Sequence, residues 1–227
     1  LSMRSLRAYT LLFIVLSFVS CKKDETPAGT AFVRVIHGVP DLGAMEVKFN
    51  GATVSTVNSY ALSSTYISTK SGTVTIEVKG SSASSALSTV SITAAANSYN
   101  TVVFADLSAS VKASQTVDEP TPASGKAKIN VLHLANTQGN AGFSLSSGTS
   151  IAGSRSFNDQ QNVAGVAAYT NIDPGAVTME ARAPFTSGSV GVISTSTQTL
   201  QAGKSYTYIF RNPIAPSTTP SFTFIAN

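Results

Sequence analysis

Residues 44–51 read Ala-Met-Glu-Val-Lys-Phe-Asn-Gly, and this stretch decides the fold class. Met45, Val47 and Phe49 alternate with Glu46, Lys48 and Asn50. A period of two describes a strand with one face in a core and the other in water. Asn50-Gly51 follows directly, the dipeptide that best accepts the positive φ angles of a tight hairpin turn. The alternation returns after Ser71-Gly72, where Val74, Ile76 and Val78 face one way and Thr75, Glu77 and Lys79 the other. Further strands are expected at Ala31–His37, Thr65–Thr69, Leu87–Thr93, Tyr99–Ala105 and Ser221–Ile225. No window keeps a helical period, so short strands with frequent turn signals predict an all-β sandwich of about 80 to 100 residues.

The chain then repeats itself. Ala31-Phe32-Val33-Arg34-Val35-Ile36-His37 aligns with Ala127-Lys128-Ile129-Asn130-Val131-Leu132-His133 at an offset of 96, which also pairs Gly43 with Gly139 and Phe49 with Leu145. Gly72–Glu77 matches Gly175–Glu180 at 103, and Ser98-Tyr99 matches Ser205-Tyr206 at 107. Several anchors in one order predict a tandem duplication. The polar, proline-bearing stretch 114–125 reads as the linker, between a first domain at 30–113 and a second at 126–227.

Ahead of both domains, Arg4 and Arg7 precede the apolar run Ala8–Val19 and then Ser20-Cys21-Lys22-Lys23-Asp24-Glu25. This is the three-part plan of an export signal. Its apolar part is far shorter than the roughly 20 residues a membrane span needs. Phe18-Val19-Ser20-Cys21 resembles the lipobox of bacterial lipoprotein signals, with Phe18 where Leu is usual, and Cys21 is the one cysteine of the chain. The expectation is a signal peptide over 1–20, a lipidated Cys21 at the new N-terminus and a polar tether over 22–29. Lys23-Asp24-Glu25 resembles an acidic tag for export to the cell surface, with a merely solvated tether as the alternative. The implied location is the outer membrane, with a lipid anchor and possible surface exposure.

Cleavage at that point takes 20 of the 227 residues and, with Arg4 and Arg7, two of the four net positive charges. The near-neutral remainder has no electrostatic footprint for nucleic acid. With Cys21 acylated it has no disulfide either, so stability rests on buried apolar surface.

Val33-Arg34-Val35-Ile36-His37-Gly38-Val39-Pro40-Asp41, followed by Met45–Gly51, resembles the opening of the bacterial repeat family known as domain of unknown function 4397. The second half keeps Val131 and His133 but has Asn136-Thr137 where Pro-Asp would fall. The resemblance implies secreted or lipid-anchored proteins with tandem β-sandwiches of immunoglobulin-like or prealbumin-like type. It implies no reaction and no cofactor.

Residues able to carry chemistry are sparse. His37 and His133 each stand alone, whereas a metal site wants three or four converging ligands. A histidine repeated at the end of a first strand is expected to hydrogen-bond the turn after it, with a ligand or catalytic role as the alternative. Gly203-Lys204-Ser205 imitates the end of a phosphate loop but lacks its earlier glycine, Gln198 standing there instead, so it reads as a hairpin turn. Glu77 and Glu180 fall at matched outward positions, which favours solvation. For a binding role the candidates are Tyr66 and Tyr169, with Tyr60, able to stack on a sugar, and the loops 139–156 and 183–191. The leading expectation is a non-catalytic, lipid-anchored envelope protein acting as a spacer and binding or adhesion module, with a glycan or envelope-protein partner. A glycan-binding accessory lipoprotein is the alternative, and an enzyme or metal binder using His37 and His133 the third reading.

Overall fold

The computed structural model describes residues 29–159, 169–182, 191–213 and 217–227. Cys21, the expected signal peptide and the tether up to residue 28 lie outside the described residues, as does 183–190 of the second expected loop. No described helix is long and apolar enough to cross a membrane.

The first half contains β1 (Thr30–Gly38), β2 (Met45–Phe49), β3 (Ala52–Val57), β4 (Ile67–Lys70), β5 (Gly72–Gly80), β6 (Ser88–Ala94), β7 (Tyr99–Ala105) and β8 (Lys112–Asp118). The second contains β9 (Ala127–Leu134), β10 (Ala141–Leu145), β11 (Ser150–Arg155), β12 (Thr170–Ile172), β13 (Gly175–Arg182), β14 (Val192–Leu200), β15 (Ser205–Arg211) and β16 (Ser221–Ala226). Each half is a sandwich of two four-stranded sheets: β4-β1-β7-β8 over β3-β2-β5-β6, then β12-β9-β15-β16 over β11-β10-β13-β14. The orders correspond strand for strand. Each half also carries the same uncommon feature, its first strand pairing in parallel with its seventh, β1 with β7 and β9 with β15.

The alternating segments behave as their period requires. β2 is buried at every second residue, and the turn after it holds Asn50 at φ 49° and Gly51 at 85°. Three expectations change. β8 pairs with β7 from Lys112 to Asp118, so the first sandwich reaches Asp118 and the linker expected over 114–125 is shorter. Residues 139–156, expected as a loop, hold β10 and β11. Gly203-Lys204 connects β14 to β15 in different sheets, so it is a crossover turn, with Gly203 at φ 76°.

The register also corrects one repeat anchor. Ile36 pairs with Val103 and Leu132 with Ile209, which puts the β7-to-β15 offset at 106. Tyr99 therefore corresponds to Ser205, and Tyr206 to Asn100. A shift of one residue reverses the face a side chain takes. Tyr206 accordingly lies in the second core, whereas Tyr99 is half-buried and stacks on Phe32.

β1, β7, β9 and β15 are buried nearly throughout, their polar residues included. A strand reads this way when both its faces are covered. Val33, Val35, Val102 and Phe104 face the first sandwich core, and Ile129, Val131, Tyr208 and Phe210 the second. Their neighbours Ile36, Val103, Ala105, Leu132, Leu134 and Ile209 form a third cluster with Tyr60, Ala61, Phe157 and Ile225. That cluster joins the two halves, so the sheets lie in four layers with the two long-buried sheets back to back.

Contacts across the junction give the direction of the strands. Arg34 reaches Thr207, which is level with Asn130 on β9. Tyr60, at the end of β1 beside His37, reaches Leu134 at the end of β9. Moving up β1 therefore moves up β9. Both first strands start at one pole, where residue 29 leads back to the tether, and end at the other, where the two histidines lie.

Candidate functional site

The histidines finish β1 and β9 in the same way. His37 Nε2 donates to Gly43 O at 2.7 Å and Nδ1 accepts from Val39 N–H at 3.3 Å. His133 Nε2 meets Gly139 O at 3.0 Å and Nδ1 accepts from Ala135 N–H at 3.4 Å. Donation at Nε2 with acceptance at Nδ1 fixes one neutral tautomer. Burial lowers the pKa of each ring, with the glycine carbonyl opposing it. Both nitrogens thus hold the following turn, as the repeated spacing led us to expect, and neither presents a lone pair to a ligand. Asp41 is turned elsewhere and accepts from Ser108 N–H and Oγ–H at 2.8 and 2.7 Å. No group of three or more potential metal ligands occurs among the described residues.

Tyr66 and Tyr169, 103 residues apart, are brought together at the junction of the halves. Both stand around Arg34, which is 2% exposed in the middle of β1. Arg34 Nε donates to Thr101 Oγ1 at 2.6 Å, and the Thr101 hydroxyl donates to Asp118 Oδ2 at 2.5 Å. Across the junction the guanidinium donates to Thr207 Oγ1 at 2.9 Å, to Tyr169 Oη at 3.4 Å and to Asn227 Oδ1. Its carbon lies 5.0 Å from the centre of the Tyr66 ring, and its Nε is 3.9 Å from Asp118 Oδ2. Tyr66 Oη donates to the same carboxylate at 2.7 Å.

The cluster is two equivalent quartets face to face. The strand registers match Arg34 with Asn130, Thr101 with Thr207 and Tyr66 with Tyr169. They also match Asp118, beside Tyr99, with Asn227, beside Ser205. One quartet is charged and the other neutral. Burial pushes the Asp118 carboxyl up, while Arg34 and the hydroxyls of Thr101, Tyr66 and Thr116 hold it down. Burial likewise raises the Tyr66 and Tyr169 hydroxyls, so both remain protonated donors or acceptors at neutral pH.

Chemically this arrangement satisfies a buried charge and ties two domains together. The two tyrosines expected to stack on a sugar are half-buried, and their hydroxyls are engaged in the cluster. Tyr60 is 7% exposed, donating to Leu134 O at 2.8 Å and accepting from Asn212 N–H at 3.0 Å. Arg34, Thr101, Asp118, Thr207 and Asn227 were not singled out from sequence, although a lone arginine within the apolar run Val33–Ile36 is a signal that could have marked Arg34.

No curated protein matches the chain. A family model does, over a span running from Ala31 in β1 through the whole first sandwich to Ala141 at the start of β10. That span contains the His37 turn, the Met45–Gly51 hairpin strand and both partners of the Arg34–Asp118 pair. Over residues 31–141, therefore, the chain resembles the family described as Domain of unknown function (DUF4397).

Proposed function

We propose that the chain is a non-catalytic, lipid-anchored protein of the bacterial outer membrane, whose fused sandwiches act as a surface spacer and a binding or adhesion module. The observation that carries this reading is the junction Phe18-Val19-Ser20-Cys21-Lys22, a lipobox-like end to an export signal. Two or more acyl chains on Cys21 hold a protein at a membrane firmly, whereas one holds it marginally. The back-to-back junction also favours a spacer, because a short linker, a buried apolar cluster and the Arg34 hydrogen bonds keep the halves from moving as beads on a string. The groups best suited to chemistry, His37, His133, Arg34 and Asp118, are spent on holding turns and domains.

Feeding radiolabelled fatty acid to expressing cells tests the anchor. Label is expected in the wild type and absent from a Cys21→Ser variant; equal labelling of the two overturns the lipoprotein reading. Proteolysis of intact cells tests whether Lys23-Asp24-Glu25 acts as an outward export tag, with digestion expected, or only as a solvated tether, which full protection would support.

A further inference from the structure

Nearly every charge in the described residues has an opposite partner. Ion pairs join Lys48 to Glu77, Lys79 to Glu46, Lys112 to Asp106, Lys126 to Asp173, Lys128 to Glu119, Arg155 to Asp159 and Arg182 to Glu180, besides Arg34 with Asp118. Arg211 donates to Thr223 Oγ1 and to Asn212 O. Among the described residues, Lys70 and Lys204 are the lysines without such a partner, and both are exposed.

Their positions coincide. Lys70 pairs with Thr30 where β1 begins. Lys204 precedes β15, its carbonyl accepting from Lys128 N–H where β9 begins. The first strands run in the same direction, so both lysines lie at the pole from which residue 29 leads to the tether. Lys126, whose carbonyl accepts from Gly203 N–H, is there too. Beside the tether exit is an open cleft of about 340 Å³ lined by Gly29, Thr30, Ser68, Thr69 and Lys70. Three hydroxyl side chains and one ammonium group suit a phosphate, which takes hydrogen bonds and charge together.

We infer that this pole is a membrane-facing surface, with Lys70 and its hydroxyl cleft, together with Lys204, contacting the phosphates of anionic lipid headgroups. The inference rests on the lipid anchor proposed above. Residues 22–29 extend at most about 26 Å, and an exposed charge acts over roughly 8 to 10 Å at moderate salt. The tether therefore keeps the pole within reach of the bilayer while leaving it able to lift. Each lysine near an anionic surface strengthens attachment about fivefold, too little to hold the protein alone but enough to set which end of it faces the lipid.

The test uses the full protein purified from expressing cells and added to two vesicle preparations, pure phosphatidylcholine and phosphatidylcholine with phosphatidylglycerol at about a third. Flotation reads attachment, and reaction of lysines with an amine reagent, quantified by mass spectrometry, reads orientation. Flotation with both vesicles is expected. Labelling of Lys70 and Lys204 should fall about fivefold on the anionic vesicles relative to the neutral ones, with Lys48 and Lys79 on the outer sheet unchanged. High salt should restore the labelling, and Lys70→Glu with Lys204→Glu, read at Lys126 of the same pole, should abolish the difference in labelling between the two vesicles without changing the melting temperature. Flotation with both vesicles and equal labelling of Lys70 and Lys204 overturns the membrane-facing pole while the anchor stands. Flotation with anionic vesicles alone overturns the anchor and the purely orienting role of the pole, attachment then being electrostatic, and flotation with neither overturns both.

Discussion

The two halves share a strand order and a register but solve the same junction with different chemistry. In the first half, Arg34 and Asp118 bring opposite charges to the contact; in the second, the matched positions are Asn130 and Asn227. Two arginines facing one another here would place like charges in a desolvated layer. One arginine, surrounded by hydroxyls from both halves, bridges it. The same asymmetry recurs nearby: Tyr60 sends its hydroxyl across the junction, while the matched residue Phe157 packs in the same apolar cluster without one. A duplicated domain that binds its own copy thus gains from divergence at the contact. The cores stay alike, but the junction becomes specific for one order of the halves.

Breaking the charged side has the largest expected effect. Arg34→Ala leaves Asp118 buried without its cation, which costs about 3 to 5 kcal/mol, read by chemical denaturation. Asn130→Ala should cost about 1 kcal/mol or less, because Asn130 Oδ1 has no hydrogen-bond partner within the protein. Equal losses from the two variants would remove the distinction. Combining Arg34→Ala with Asp118→Asn should recover part of the loss, since the stranded charge is then gone.

A middle effect is expected at the tyrosine. Tyr60→Phe makes the position like Phe157 and strands Asn212 N–H and Leu134 C=O, at about 1 to 3 kcal/mol. Phe157→Tyr should not repay it. The histidines offer a test in which the halves behave alike. Burial holds both folded pKa values below that of an ordinary histidine, so the unfolded chain binds more protons as pH falls. Stability is full above about pH 7 and declines as pH drops below the unfolded value near 6.5, by at most about 1.4 kcal/mol per pH unit for each ring. Thermal melts from pH 8 to 5 read the slope, and His37→Gln with His133→Gln should flatten it. The smallest change is expected from Asp41→Ala, which frees the exposed Ser108 turn at about 0.5 to 1 kcal/mol; the matched residue Thr137 donates to Asn212 instead.

Much of this architecture is legible in the sequence. β2 and β5 alternate because one face meets water, and the histidine turns were readable because His37 and His133 recur with Gly43 and Gly139 at the same spacing. β8 was missed for a physical reason. Ser114, Thr116 and Asp118 are its buried residues, so its inward face is polar and looks like linker; Asp118 is met there by Arg34, Thr101 and Tyr66, while Ser114 Oγ has no hydrogen-bond partner within the protein. The Arg34 cluster was hidden because its members come from β1, β7, β8 and Tyr66 of one half and from β15, Tyr169 and Asn227 of the other. No local spacing links them. The Tyr99 slip shows the limit of matching identical residues in strands, where one position decides between core and contact.

The parallel pairing at the centre of each sandwich has a consequence for how the chain matures. Each of its pairs in the first half joins residues 67 apart, and each in the second joins residues 77 apart. Contacts so distant along the chain form late, because loop closure precedes any gain from the pairing. β1 precedes the other described strands and is buried nearly throughout, so β4 covers one of its edges early while the other stays open until β7 follows, and its Arg34 face waits for Thr207 of β15 and for Asn227. The layer that finally seals β1 therefore closes only when both halves are present.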